Sequence, residues 1–142
     1  MKNTIILLTM LLFSGIGFAQ ESNNGKQLWA KSFLNEKAPE LTVETWISKK
    51  PDTEGKFVII DFWATWCGPC RKAIPELNEI AKEFSKDVVV IGISDEPVEK
   101  IKAMKEPVIE YYYGVDTKKT MDKILEIKGI PHVIIIDPKG IV

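Results

Sequence analysis

Residues 56–64, KFVIIDFWA, are almost continuously apolar, the pattern of a strand buried on both faces. Past residue 70 the period lengthens: Ile74, Leu77, Ile80, Ala81 and Phe84 fall at helical spacing. Residues 87–94, DVVVIGIS, predict a second buried strand. Residues 94–106 read as a helix that Ser94 or Asp95 would cap, with Pro97 in its first turn and Val98, Ile101 and Met104 on one face. Residues 108–115 predict a strand or loop. Met121, Ile124 and Leu125 mark another helix, with Gly129 placed to end it. Residues 130–137, IPHVIIID, predict a third strong strand, and DPKG at 137–140 a turn suited to a hairpin. Upstream, residues 37–47 alternate loosely through Leu41, Val43 and Trp46, as an edge strand would, and 48–56 is a polar loop. Residues 20–36 are polar with scattered apolar positions, a linker or short helix leading into a domain that begins near residue 37.

Strand and helix in alternation imply an α/β layer fold with a largely parallel core. The last strand has only two residues after its turn, so a further strand and helix of roughly 20–30 residues are expected beyond Val142.

With 142 residues, 45% hydrophobic and 27% charged, the chain is one globular domain's worth of material. A formal net charge of −1 offers no basic surface for nucleic acid. The N-terminus changes the picture more. Lys2, an apolar core from Ile5 to Phe13, and Gly17 and Ala19 at small-x-small spacing describe a signal peptide cut after Ala19. The apolar core is too short for the roughly 20 residues a membrane span needs. An exported, periplasmic chain meets an oxidising compartment, and its two cysteines allow one internal bridge.

Those two, Cys67 and Cys70, sit where the first strong strand gives way to a helix. First-turn N–H groups and the helix dipole favour the thiolate there, and the thiolate is the nucleophile. Cys70, one turn on, is placed to resolve a mixed disulfide formed at Cys67. A purely structural bridge across so short a loop is worth only about 2 kcal/mol. A metal site would find three ligands at most, counting the sole histidine, His132. The redox reading is the strongest of the three.

Asp61 interrupts the apolar run, where a carboxylate needs a partner or a proton. Two readings stand: a buried acid of raised pKa that accepts a proton from Cys70, or a strand-end residue meeting water or a backbone N–H. Pro131 opens the last strand, and the sequence leaves its isomer open.

Together these residues carry a resemblance. VIIDFWATWCGPCRKAIPEL is similar to the active-site segment of thioredoxin, from Asp61 through Trp66, Cys67, Gly68, Pro69 and Cys70 to Pro75. GIP at 129–131 is similar to the thioredoxin segment whose proline is cis. The lead-in KAPELTVETW, the export signal and HVIIIDPKG resemble the TlpA- and ResA-like exported thiol–disulfide oxidoreductases. The resemblance covers about residues 37–142. It implies a thioredoxin-like fold, a central mixed sheet flanked by helices, whose C-terminal strand and helix are missing. It implies that Cys67 and Cys70 form the redox disulfide, Cys67 as nucleophile and Cys70 as resolving thiol, with Asp61 the buried acid. Trp66, Gly68 and Pro69 would flank the substrate, Pro131 would be the cis proline, and Ile130 would offer backbone hydrogen bonds to a substrate strand. The chain departs from thioredoxin in having no lysine in strand 88–93 and in carrying His132 where thioredoxin has a threonine; near a disulfide such a histidine makes activity pH-dependent, whereas more often it packs or meets solvent.

The expected activity is therefore reduction of protein disulfides, with no cofactor and with a membrane electron donor as partner. Two alternatives remain. A peroxiredoxin would need a threonine three residues before its cysteine, where this chain has Ala64. A copper carrier would use Cys67, Cys70 and His132.

Overall fold

A computed structural model describes residues 28–142. The signal peptide expected over 1–19, and the first part of the 20–36 linker, lie outside the described residues.

Strands β1 (Thr45–Trp46), β2 (Phe57–Phe62), β3 (Val88–Ser94), β4 (Tyr112–Val115) and β5 (His132–Ile136) form one sheet in the order β1-β4-β3-β2-β5. Helices α1 (Gly68–Glu83), α2 (Val98–Ala103) and α3 (Thr120–Leu125) connect them. The apolar runs became the central strands: β2 pairs parallel with β3, and β3 parallel with β4. The edges run the other way, β1 antiparallel to β4 and β5 antiparallel to β2. The sheet is mixed, its core parallel.

Alternation along β2 divides the interior in two. Val58, Ile60 and Phe62 join Val89, Ile91, Ile93, Met121 and Leu125 on one face. Trp63 lies in the other cluster, with Cys67, Cys70, Ile74, Leu77, Val90 and Tyr111. The cysteines thus belong to the α1 side of the sheet.

Four sequence expectations need correction. The edge strand over 37–47 shrinks to two residues, although Lys37 bridges Ile141 further up. Gly114 permits the close approach of β1: a Cβ there would stand 2.6 Å from Val43 Cγ1 and 2.7 Å from the Thr45 carbonyl oxygen. The helix over 94–106 starts only at Val98, with Pro97 as an N-cap that makes no side-chain bond. Ser94 and Asp95 are engaged elsewhere, Ser94 accepting from the Glu96 N–H and Asp95 pairing with Lys119 at 2.6 Å. That helix ends well before Pro107, whose ring excludes helical geometry at Glu106. Finally α3 stops at Leu125, because Glu126, not Gly129, takes the left-handed conformation (φ 51°). Residues 108–111 precede β4 outside any strand.

The turn at 137–140 forms as expected: Asp137 Oδ1 accepts from Lys139 and Ile141, and the Asp137 N–H reaches the Ile141 carbonyl. Its return residues pair with the incoming chain at Asn35–Lys37.

Candidate active site

β2 runs straight into the cysteines through Trp63, Ala64, Thr65 and Trp66. Cys67 is the N-cap of α1, in extended conformation, and its Sγ accepts the Cys70 N–H at 3.3 Å. Pro69 fits the first turn, where no donor is required. Cys67 and Cys70 are bonded to each other, Cα to Cα 5.3 Å. Both sulfurs are buried, Cys67 at 3% exposure and Cys70 fully. Around them Trp66 is 67% exposed, and Gly68 and Pro69 also face solvent. The site is thus a shielded sulfur pair under an open apolar rim.

Asp61 is inside, 1% exposed, set opposite Gly92 of β3 and Val133 of β5. No hydrogen bond reaches its Oδ2, and burial pushes its pKa up to about 6. The Ile130–Pro131 peptide is cis, the isomer the sequence left open, and so is Glu106–Pro107. Ile130 packs against the cluster that holds both cysteines, while Pro131 is exposed at the head of β5.

His132 is not brought to the sulfurs. It pairs with Phe62, ring centroids 6.1 Å apart, on the opposite face of the sheet. Burial lowers its pKa, against the pull of Asp122, and so favours the neutral ring. Among the described residues no group of three His, Cys, Asp or Glu side chains is placed to hold a metal ion. The Cys67, Cys70 and His132 set is not assembled as a copper site.

One residue that sequence reasoning missed holds the active-site loop. Glu96, 5% exposed, accepts the Thr65 N–H at 2.5 Å and the Thr65 hydroxyl at 2.9 Å, and pairs with Lys100 at 2.6 Å. Burial raises its pKa, but Lys100 and Thr65 outweigh that, and the net shift is downward. The only sequence signal was an acid directly after a buried strand. Arg71, in the first turn of α1, donates to the Glu106 carbonyl at 2.7 Å and ties the helix start to the second cis peptide.

This fold has known counterparts. Residues 34–142 match the family described as AhpC/TSA. The chain belongs to the AhpC/TSA family. Within it the chain falls in the TlpA- and ResA-like part of the thioredoxin superfamily. It is 27% identical over 114 residues to the thioredoxin-like protein YneN of Bacillus subtilis, covering 75% of this chain and 67% of that one. It is 26% identical over 109 residues to the thiol-disulfide oxidoreductase ResA of the same organism, covering 72% and 61%. Among solved structures, the thioredoxin domain of a thiol-disulfide oxidoreductase from Bacteroides vulgatus aligns at TM-score 0.64 with 29% identity, covering 76% of this chain and 84% of that one. The match thus spans about two thirds or less of the length of these two Bacillus subtilis proteins.

Proposed function

We propose that this protein is an exported thiol–disulfide oxidoreductase that reduces disulfides in other proteins. The observation that carries the reading is the Cys67–Cys70 bond at the N-terminus of α1, the helix that follows the strand holding the buried Asp61. In the reduced protein the Cys67 thiolate attacks a substrate disulfide, forming a Cys67–substrate bond and expelling one substrate thiolate. Cys70 then loses its proton to Asp61 and attacks Cys67 Sγ. The second substrate thiol leaves, the Cys67–Cys70 bond forms, and two electrons have passed to the substrate. Trp66, Gly68 and Pro69 form the rim that a substrate strand meets, and Ile130 and Pro131 supply its backbone contacts.

The reducing direction follows from what stands between the cysteines. Gly68 and Pro69 bring no charge and no side-chain donor to stabilise a thiolate. Potentials of Cys-X-X-Cys proteins run from about −270 mV at the reducing end to about −120 mV at the oxidising end, a gap of about 7 kcal/mol for two electrons. A helix end supplies about 1 kcal/mol. Export rests on the residue pattern over 1–19, and a reductant outside the cytoplasm must be recharged, by a membrane electron donor. Against a peroxidase, Ala64 offers no hydroxyl, and the neighbouring Thr65 hydroxyl is bound by Glu96.

The test is capture by Cys70→Ser protein in a periplasmic extract. Disulfide-linked partners joined through Cys67, together with turnover of a protein disulfide by the unaltered pair, are expected. No adduct and no turnover overturns the reading.

A further inference from the structure

Three residues that pack around Gly92 each hold a buried polar atom without a hydrogen-bond partner: Asp61 Oδ2, Trp63 Nε1 and Tyr111 Oη. Asp61 stands opposite Gly92, and opposed residues share a face of the sheet. Trp63, two positions after Asp61, turns to that face as well. A Cβ built on Gly92 would stand 3.0 Å from Trp63 Nε1 and 3.0 Å from Tyr111 Cε2, so the two rings take up the space a side chain would need. Tyr111 also feels the Asp61 charge: burial first, and that carboxylate second, push its phenol upward.

Two donors and one acceptor are therefore buried together and unpaired, and each carries a desolvation penalty if left so. A buried water typically makes about three hydrogen bonds, which is the number on offer.

We propose that Tyr111 and Trp63 are positioning residues for Asp61, holding its carboxylate through one shared buried water. The Tyr111 O–H and Trp63 Nε1–H donate to the water, and the water donates to Asp61 Oδ2. The other groups that surround Asp61 bring no charge to it: β3 presents Gly92, β5 presents Val133, and α1 presents Cys70 within the same cluster as Tyr111 and Trp63. Burial is accordingly the sole influence on Asp61 apart from these donors. The assignment deepens the role given to Asp61 in the proposed function and rests on it, because it sets the pH at which Asp61 is able to take the Cys70 proton.

The experiment follows the Asp61 carboxyl by NMR in oxidised protein carrying carboxyl-labelled aspartate. Tyr111→Phe keeps the ring over Gly92 and removes the hydroxyl. Loss of a donor to the charged form raises the pKa, so the Asp61 midpoint is expected to rise by about one unit. In the unaltered protein the Trp63 indole N–H resonance is expected to titrate at the Asp61 midpoint, and to stop doing so in Asp61→Asn. An Asp61 midpoint unchanged or lowered in Tyr111→Phe, or an indole resonance indifferent to Asp61, overturns the assignment. Neither readout uses catalysis, so absent disulfide turnover would overturn the proposed function without touching this result.

Discussion

Glu96 grips Thr65 twice, by its main-chain N–H and by its hydroxyl. Thr65 is two residues before Cys67, so a carboxylate on the β3–α2 connection holds the chain that leads into the Cys67–Cys70 pair. Glu96→Ala is expected to leave the Thr65 N–H without its acceptor and cost about 1–3 kcal/mol. Glu96→Gln, which keeps one acceptor oxygen, is expected to lose less. Chemical denaturation of the oxidised proteins measures both.

Asp61→Asn is expected to leave the first attack by Cys67 nearly unchanged and to slow resolution by Cys70 by up to about 10²-fold. Stopped-flow separation of the two steps checks this. Both steps unchanged from the unaltered protein would remove Asp61 from the chemistry.

The same carboxyl makes stability depend on pH. Its folded pKa is about 6, above the ordinary value of 3.8, so the folded state holds the extra proton between those limits. Stability is then greatest below pH 4 as far as this group is concerned, and falls by about 3 kcal/mol as pH rises to about 6. Asp61→Asn should abolish that slope and be the more stable protein at neutral pH. Denaturation midpoints across pH 4–8 test it.

In the reduced protein Cys67 is expected to be the thiol that iodoacetamide modifies first at mildly acidic pH, because it caps the helix and Cys70 lies fully inside it. Peptide mapping after brief labelling decides; equal modification of both contradicts the assignment of nucleophile.

The potential of the pair, measured by equilibration against glutathione and dithiothreitol buffers, is expected below about −180 mV. A higher value would make the protein an oxidant or isomerase.

What the sequence made legible is what depends on neighbours along the chain. The cysteine pair, its helix cap and the helix proline Pro75 all fall within one short segment, and the structure places them as read. Gly92 stands within the apolar run of β3. Only the β2–β3 register shows that it faces Asp61, and only the packing shows that Tyr111 and Trp63 occupy its place. Glu96 was hidden for the same reason, since its partner Thr65 is 31 positions away. α3 ends before Gly129 because Glu126 itself takes the left-handed turn, its N–H and that of Ile127 both closing on the Asp122 carbonyl.

β2 has β3 on one side and β5 on the other, and that second neighbour comes from the far end of the described chain. The order of events in folding follows. Bringing Cys67 and Cys70 together closes a loop of a few residues, and closing even a ten-residue loop takes about 10–100 ns. Assembling a sheet from distant strands takes orders of magnitude longer. A newly made chain that meets an oxidant therefore has its two sulfurs within reach of each other long before the strand carrying Asp61 is enclosed on both sides.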